Sequence, residues 1–193
     1  KKGNKLISQP IKGTIRKGDN PQEDQRLIQE LENSEKDKAE NVMIVDLVRN
    51  DLNRICERRS VHVPELFGIY SYLQVHQMIS TVEGTVAHDK TLLNILEATF
   101  PMGSMTGAPK IAAMQQIEQL ENFKRGWYSG AVGYITPDQD FDFNVVIRTV
   151  LCNTKSKTLN YNAGGAITID SVADSEWKEV KLKTKAITSI LKP

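Results

Sequence analysis

Residues 61–87 read VHVPELFGIYSYLQVHQMISTVEGTVA. The stretch is rich in Val, Ile, Tyr and Thr, which favour β-strands, with Pro64 and Gly84 as breaks. Apolar residues at helical spacing flank it, over residues 35–57 before it and 89–99 after it. Strands and helices that occur in blocks, without strict alternation, favour an α+β fold over a doubly wound parallel sheet.

The rest of the chain continues this mixture. We predict extended segments from residue 5 to residue 13, about three strands within 127–169, and helices over 22–33, 109–121 and 174–191. The sequence starts abruptly, without Met and with a strand-like stretch almost at once. We therefore expect residues 1–193 to be one piece of a longer chain.

Composition excludes several classes of protein. The 25 Lys and Arg residues nearly balance the 24 Asp and Glu residues, for a net charge of +1, which argues against a general nucleic-acid binder. No apolar run approaches the roughly 18 residues of a membrane span, and the basic start lacks the apolar core of a signal peptide. Two cysteines cannot form a disulfide scaffold. We expect a reduced, cytoplasmic chain.

The predicted last helix places charges on its apolar side. Glu176, Glu179 and Lys183 lie three and four residues apart, so they form one stripe on the same side as several aliphatic residues: Val180, Ile187, Ile190 and Leu191. Burying carboxylates among aliphatic groups is costly unless they have partners. Either Lys183 pairs with Glu179 across one turn, or the carboxylates hold a divalent cation, for which Mg²⁺ suits oxygen ligands.

The helix predicted over residues 35–57 repeats this pattern. Glu40 and Asp51 point the same way as its apolar residues, which are Ile44, Leu47, Val48 and Ile55. One acid near a helix start is explained by the helix dipole, but two in an apolar stripe suggest another partner. If Glu40 faced Glu176 and Glu179 across a cleft, the three would form a carboxylate cage for a metal ion.

Three further features suggest anion binding. In PMGSMTGAPK (residues 101–110), Ser104 and Thr106 either cap the next helix or help its N–H groups bind an anion. Gly164 and Gly165 permit close approach of a ligand, or form a bulge. Arg148 lies in VVIRTVL, an otherwise buried pattern, where Arg commonly pairs with a protein or ligand carboxylate. Together with a metal cage, they suggest a small substrate with several carboxylates.

Two residues in strand patterns have alternative roles. Lys12, between Ile11 and Gly13, is either a solvated surface residue or a desolvated amine that acts as a nucleophile. His76 is either a hydrogen-bonded core histidine or a polar group of the site.

These segments resemble the chorismate-utilising enzymes, which include anthranilate, aminodeoxychorismate, isochorismate and salicylate synthases. The matching stretches occur in the family's order over almost the whole chain: PIKGTIRKG, AENVMIVDLVRNDLNRIC, YLQVHQMISTVEG, FPMGSMTGAPKIAAMQQIEQLE, RGWYSGAVGY, FNVVIRTVL, NAGGAITIDS and SEWKEVKLK. The resemblance implies two stacked, mainly antiparallel sheets with helices outside. It also implies that this chain is the C-terminal part of one chorismate-binding domain, whose N-terminal part is absent.

The resemblance implies a role for each candidate residue. Glu40 and Glu179 match carboxylates that bind Mg²⁺, and Glu176 would act through water. The residues matching the site of the enolpyruvyl carboxylate are Tyr128, Arg148 and Gly164, with Lys183 beside it. Gly13, Thr14 and Ser104 match other substrate-contacting positions, and His76 matches a histidine near the ring.

Lys12 points to one branch of the family. PIKGT looks like the aminodeoxychorismate synthases, in which this lysine is the proposed nucleophile, whereas anthranilate synthases look like PIAGT. The resemblance implies amination of chorismate with ammonia that a glutamine amidotransferase supplies, for para-aminobenzoate and folate synthesis. The family's proposed general acid precedes PIKGT and falls outside this chain, so we expect the chain alone to be inactive. Alternatives are anthranilate synthase component I, an isochorismate-type synthase, or a non-catalytic metal-binding domain.

Overall fold

The computed structural model describes residues 1–169 and 171–191. They divide into two compact units: unit 1 contains Lys1–Asn122 and Tyr134–Asp142, and unit 2 contains Phe123–Gly133 and the chain from Phe143 onward. In chain order, the elements are β1 (Lys5–Ser8), β2 (Ile11–Arg16), α1 (Pro21–Glu32), α2 (Glu35–Asn53), β3 (His62–Ser71), β4 (Val75–Thr85), α3 (Leu92–Thr99), a 3₁₀ turn (Gly103–Met105), α4 (Lys110–Leu120), β5 (Ala131–Ile135), β6 (Phe141–Val145), β7 (Leu151–Asn153), β8 (Thr158–Asn160) and α5 (Ala173–Leu191).

Strand β4 is the centre of the unit 1 sheet, because all three other strands pair with it in antiparallel orientation. Strands β1 and β2 use successive parts of β4: Ser8 lies opposite Val82, and Ile11 lies opposite Ile79. The register of β2 shifts between Ile11 and Thr14. Gly13 lies in this irregularity with φ +89°, a backbone conformation that glycine adopts without strain.

Helix α2 supplies much of the core against this sheet. Its start is fixed by Ser34, whose side chain accepts a hydrogen bond from the Asp37 N–H. Buried apolar residues from the sheet, from α2 and α3, and from the segments that follow α2 and β4 form one cluster: Leu6, Val45, Leu52, Ile55, Cys56, Val82, Val86, Ile95 and Ala98. Burial of this apolar surface is the main source of stability of unit 1.

The prediction that this helix continues to residue 57 was wrong, since α2 ends at Asn53. Beyond the helix, the Glu57 N–H donates to the Thr85 carbonyl, and Cys56 forms an isolated bridge with Val86. Ile55 and Cys56 are nevertheless buried. These two residues are apolar because they pack beside the end of β4 in an extended segment. Apolar residues at this spacing look the same in the sequence as one more turn of helix.

Unit 2 contains short strands and one long helix. Strands β7 and β8 form a hairpin in which Leu151 lies opposite Asn160. Strands β5 and β6 form a second pair, and their connecting tip belongs to unit 1, where Phe141 packs against the core cluster. The structure therefore has four short strands where the sequence predicted about three.

The predicted α+β class with antiparallel sheets is confirmed. The stacking of two sheets concerns both units together and stays a prediction. Within residues 1–169 and 171–191, no helix has the length and apolar character that crossing a membrane requires.

Replacement of Leu52 by Ala tests the core beneath α2. Leu52 is 3% exposed in the cluster, so the cavity should lower the free energy of unfolding by about 2–5 kcal/mol. Urea denaturation with an unchanged m-value would measure this loss. Leu73, which is 92% exposed, provides the control, because Leu73→Ala should change stability little. Equal effects of the two changes would contradict this account of the core.

Candidate functional site

Lys12 of β2 is held against the first turns of α2. Its Nζ lies 3.4 Å from Glu40 Oε2, and the two side chains are only 16% and 17% exposed. The neighbouring Gly13 makes this approach possible, since an added Cβ there would lie 3.0 Å from Leu31 Cδ1 and 3.1 Å from Asp37 Cβ. The alternative of a solvated surface lysine was therefore wrong. Thr14, the next residue, is exposed.

Glu40 has a second cationic neighbour. Lys36, one turn earlier on α2, places its Nζ 4.0 Å from Glu40 Oε1, and its side chain is 64% exposed. The two oxygens of Glu40 thus face two different ammonium groups, one mostly buried and one exposed. A carboxylate is also the ligand type that a hard divalent cation prefers, and such an ion would compete with these two ammonium groups for Glu40.

His76 of β4 is a fully buried, hydrogen-bonded histidine. Its Nε2 donates to Asp24 Oδ1 over 2.8 Å, and its Nδ1 lies 2.8 Å from Ser71 Oγ. The hydrogen bond from His76, followed by one from the Gly18 N–H, lowers the pKa of Asp24. The structure thus shows the first of the two alternatives for His76, a core histidine that joins α1, β3 and β4. Its contact with a substrate ring stays a prediction.

The partner of Asp51 is a lysine that the sequence analysis missed. Lys110 Nζ lies 2.6 Å from Asp51 Oδ2, and the two side chains are 16% and 9% exposed. Burial raises the pKa of Asp51, and the ion pair with Lys110 opposes that rise. No spacing rule could identify this pair, because 59 residues separate its members. The carboxylate among the apolar residues of α2 was the only signal.

The loop before α4 closes on itself through its own hydrogen bonds. The Thr106 N–H donates to the Gly103 carbonyl, and the Thr106 hydroxyl donates to the carbonyls of Met102 and Gly103 at 3.2 and 3.3 Å. The N-cap of α4 is Pro109, and no side chain caps it. The capping alternative for Ser104 and Thr106 was therefore wrong.

In unit 2, the charged stripe of α5 faces the glycine pair. Lys183 Nζ lies 2.7 Å from Glu179 Oε1 and donates to the Gly164 carbonyl at 3.2 Å. A Cβ added to Gly165 would lie 3.4 Å from Glu176 Oε2. The paired alternative for Glu179 and Lys183 is therefore what the structure shows. Ile190 and Leu191, predicted on the apolar face, are 81% and 40% exposed.

Two more polar contacts surround Gly164 and α5. The Tyr128 hydroxyl lies 3.2 Å from the position that a Gly164 Cβ would take, so a larger residue there would require the tyrosine to shift by a few tenths of an ångström. Glu176 is buried, and its Oε1 accepts a hydrogen bond from Ser171 Oγ at 2.9 Å. Unit 2 thus brings six of the predicted site residues into one neighbourhood: Tyr128, Gly164, Gly165, Glu176, Glu179 and Lys183.

Arg148 does not lie in a buried strand as predicted. It is exposed, with φ +50°, in the irregular segment between β6 and β7. Directly after β6, Val146 exchanges backbone hydrogen bonds with Ser129 and Gly130. The next residue, Ile147, donates its N–H to the Val145 carbonyl, and this local turn takes the chain out of the strand before Arg148. The segment VVIRTVL contains no Gly or Pro, so the sequence gives no sign of this turn.

Unit 2 also contains a cavity of about 370 Å³ that the sequence analysis did not identify. Arg125, Trp127, Tyr128 and Asn162 are among the residues that line it. The Arg125 guanidinium donates to Ser129 Oγ at 3.1 Å and lies 5.8 Å from the centre of the Tyr128 ring. A cation and aromatic rings in one cavity suit a carboxylated ring compound.

The predicted metal cage stays a prediction. Across the part of the chain that the structure describes, no three His, Cys, Asp or Glu side chains form a group that could hold a metal ion. Glu40 belongs to unit 1, whereas Glu176 and Glu179 belong to unit 2. The chemistry of these donors fits Mg²⁺, since all three are carboxylates and Glu176 is buried close to an approachable glycine backbone.

Comparison with known proteins agrees with the sequence resemblance. Residues 1–189 match the family model described as chorismate binding enzyme. A protein named probable aminodeoxychorismate synthase, chloroplastic, from Oryza sativa subsp. japonica is 48% identical over 186 residues, which cover 96% of this chain and 21% of the relative. Anthranilate synthase component 1 from Saccharolobus solfataricus is 46% identical over 182 residues, which cover 94% of this chain and 43% of the relative.

Solved structures have the same fold. Anthranilate synthase component I from Streptococcus pneumoniae TIGR4 superposes with a TM-score of 0.80 at 36% identity, over 97% of this chain and 40% of that chain. A putative 2,3-dihydroxybenzoate-specific isochorismate synthase from Bacillus anthracis superposes with a TM-score of 0.85 at 26% identity, over 99% and 50%. The chain thus spans half or less of the length of these relatives.

The Asp24–His76 contact predicts a pH dependence of stability. The pKa of Asp24 in the folded protein is below its ordinary value of 3.8, so its stabilising effect is present above that pH and disappears as the pH falls through the lowered pKa. Asp24→Asn should therefore lower the free energy of unfolding at neutral pH. Its difference from the unchanged protein should shrink below pH 3.8.

Urea unfolding between pH 2 and pH 7 measures this difference. Asp19→Asn is the matched control, because Asp19 lies on the loop before the same helix and its side chain is 90% exposed. That control should show little pH-dependent difference. A pH-independent effect of Asp24→Asn would contradict an ionised Asp24 bound to His76.

Proposed function

The chain belongs to the chorismate binding enzyme family, and on that basis we propose that the whole protein is an aminodeoxychorismate synthase component I. The observation that carries the proposal is Lys12, an amine only 16% exposed that β2 holds 3.4 Å from Glu40. An enzyme that only adds ammonia or water to chorismate has no need for a second amine. A relative named aminodeoxychorismate synthase at 48% identity supports the same choice.

In the proposed reaction, Lys12 acts as a covalent catalyst. Its neutral amine forms a bond to C2 of the chorismate ring, the ring double bonds shift, and the C4–O bond breaks. The proton lost by the amine and the departing hydroxide together make water. Ammonia then forms a bond to C4, the double bonds return and the bond between Lys12 and C2 breaks, while the proton that ammonia loses passes to the released Lys12 amine. The product, 4-amino-4-deoxychorismate, retains its enolpyruvyl group.

Ammonia is proposed to come from a glutamine amidotransferase, as a separate subunit or a fused domain. The amine that attacks C4 must be neutral, and ammonia in water at neutral pH is mostly ammonium. Delivery from a partner would keep it unprotonated until it reaches the ring. Chorismate and this partner are the proposed interactions of the whole protein.

We propose that Glu40 and Glu179 bind Mg²⁺ directly and that Glu176 binds it through water. When bound, the ion would neutralise the ring carboxylate and stabilise charge that develops as the ring rearranges. Glu176 suits an outer position because its Oε1 already accepts a hydrogen bond from Ser171. Its other oxygen, Oε2, is the one that lies near Gly165.

The remaining candidates are proposed to hold the substrate. The enolpyruvyl carboxylate would contact Tyr128, Lys183 and the backbone of Gly164 and Gly165, which already lie together in unit 2. Arg148 would contribute a second cation from its exposed position. On unit 1, the proposed contacts come from Gly13, Thr14, Ser104, Thr106 and His76.

Replacement of Lys12 by Ala tests covalent catalysis. The whole protein would be incubated with chorismate, Mg²⁺ and an ammonium salt at mildly alkaline pH, and the products identified by chromatography and mass spectrometry. Removal of the nucleophile should lower the rate of aminodeoxychorismate formation roughly a thousandfold or more. Lys5→Ala on β1 is the control, because Lys5 is 53% exposed and pairs with Glu83.

Other products would favour other members of the family. Anthranilate with pyruvate would show an anthranilate synthase, and isochorismate without amination in excess ammonium would show a synthase that uses water. Undiminished aminodeoxychorismate formation by Lys12→Ala would exclude the lysine adduct while leaving the amination itself in place.

The metal proposal predicts graded losses of affinity. Glu176→Gln should weaken Mn²⁺ binding, followed by electron paramagnetic resonance, by roughly 10–100-fold, as expected for an outer-sphere partner. Glu40→Gln and Glu179→Gln should weaken it at least as much. Asp174→Asn, an exposed acid in the first turn of α5, should leave it unchanged. Unaltered affinity in all three glutamine variants would refute this ligand set.

A further inference from the structure

The loop between α3 and α4 is attached to α2 at two points. At one point Gly103 lies on Leu47, so closely that an added Cβ would be 3.0 Å from the Leu47 Cβ. At the other, Lys110 at the start of α4 forms its 2.6 Å ion pair with Asp51. Leu47 and Asp51 are four residues apart on α2, so both attachments lie on one side of that helix.

Residues 104–109 lie between these attachments, and we call residues 103–109 the docked loop. Its first turn is closed by internal hydrogen bonds from Thr106. No side chain caps the helix that follows it. Directly after the far end of the loop, the Lys110–Asp51 ion pair joins the chain to α2.

A buried ion pair contributes little net stability, but it fixes the relative position of its two side chains. Removing two charges from water costs several kcal/mol per ion, and apolar residues of similar volume often stabilise a protein as well or better. The raised pKa of Asp51 reflects that cost of burial. What an apolar pair does not provide is a fixed distance and direction between the two side-chain ends.

We propose that Asp51 is a positioning residue for the docked loop: through its buried ion pair with Lys110, it holds this loop on α2 in the arrangement that binds substrate. The side-chain partner of Asp51 is Lys110, which is not itself a proposed substrate contact. Asp51 acts on Ser104 and Thr106 through Lys110. The consequence for activity rests on the proposed function, whereas the attachment of the loop does not.

The experiment compares four variants of the whole protein. Asp51→Asn removes one charge, Asp51→Leu with Lys110→Met replaces the pair by apolar groups, and Lys110→Arg keeps an ion pair. Asp46→Asn is the matched control, since Asp46 pairs with Arg49 on the exposed side of the same helix at 2.9 Å. The readouts are hydrogen exchange of peptides that cover residues 101–109, kcat and KM for chorismate, and urea unfolding.

We expect the apolar double variant to unfold at an unchanged or higher urea concentration and yet to exchange its docked loop about tenfold faster. Its kcat/KM should fall roughly a hundredfold, the scale of a misplacement by about 1 Å. Asp51→Asn should likewise exchange its docked loop faster and lose kcat/KM. Lys110→Arg, which keeps an ion pair, should retain most of the loop protection and most of the kcat/KM of the unchanged protein. Asp46→Asn should change none of them.

Two results would overturn the inference. In the first, the apolar double variant would show the same hydrogen exchange in the docked loop and the same kcat/KM as the unchanged protein. The Asp51–Lys110 ion pair would then not be needed to position the loop. In the second, the loss of kcat/KM would be proportional to the loss of global stability in urea across all variants. Asp51 would then have only a structural role. Faster loop exchange in a protein that never aminates chorismate would support the attachment and refute the proposed function.

Discussion

The structure of unit 1 depends on one constraint: helix α2 packs polar groups as well as apolar ones against its neighbours, and these groups need partners. Glu40 pairs with Lys12, Asp51 pairs with Lys110, and the Asn41 amide oxygen accepts a hydrogen bond from Ser80. The cost of an unpaired buried charge is several kcal/mol, so these contacts restrict how β2, β4 and α4 approach the helix. One buried polar atom, the Asn41 Nδ2, has no hydrogen-bond partner among the described residues.

This constraint links the core to the chemistry. The same helix that contributes Leu52 to the apolar cluster also places a carboxylate beside the candidate nucleophile and another beneath the loop. Gly13 lets the strand approach closely enough for Lys12 to reach Glu40. A fully apolar α2 would satisfy the core equally well, but it would leave the lysine and the loop without fixed positions.

Unit 2 uses a different arrangement for a related purpose. Its long helix presents Glu176, Glu179 and Lys183 toward a backbone segment that two glycines keep free of side chains. Carboxylates and an ammonium group beside an accessible backbone form a polar surface that is organised before any ligand binds. The Tyr128 hydroxyl extends this surface, since it lies 3.2 Å from the position that a Gly164 Cβ would take.

The sequence by itself determined the α+β class, the family, and the charged stripe of α5, because side-chain period and local motifs are encoded in neighbouring residues. It left open whether Lys12 is buried, whether His76 is a core residue and which group pairs with Asp51. It also placed Arg148 in a strand that ends earlier. The tertiary structure decided these points, since each depends on contacts between residues distant in sequence, such as the 59 residues between Asp51 and Lys110. Burial and pairing are properties of such contacts, and no local pattern specifies them.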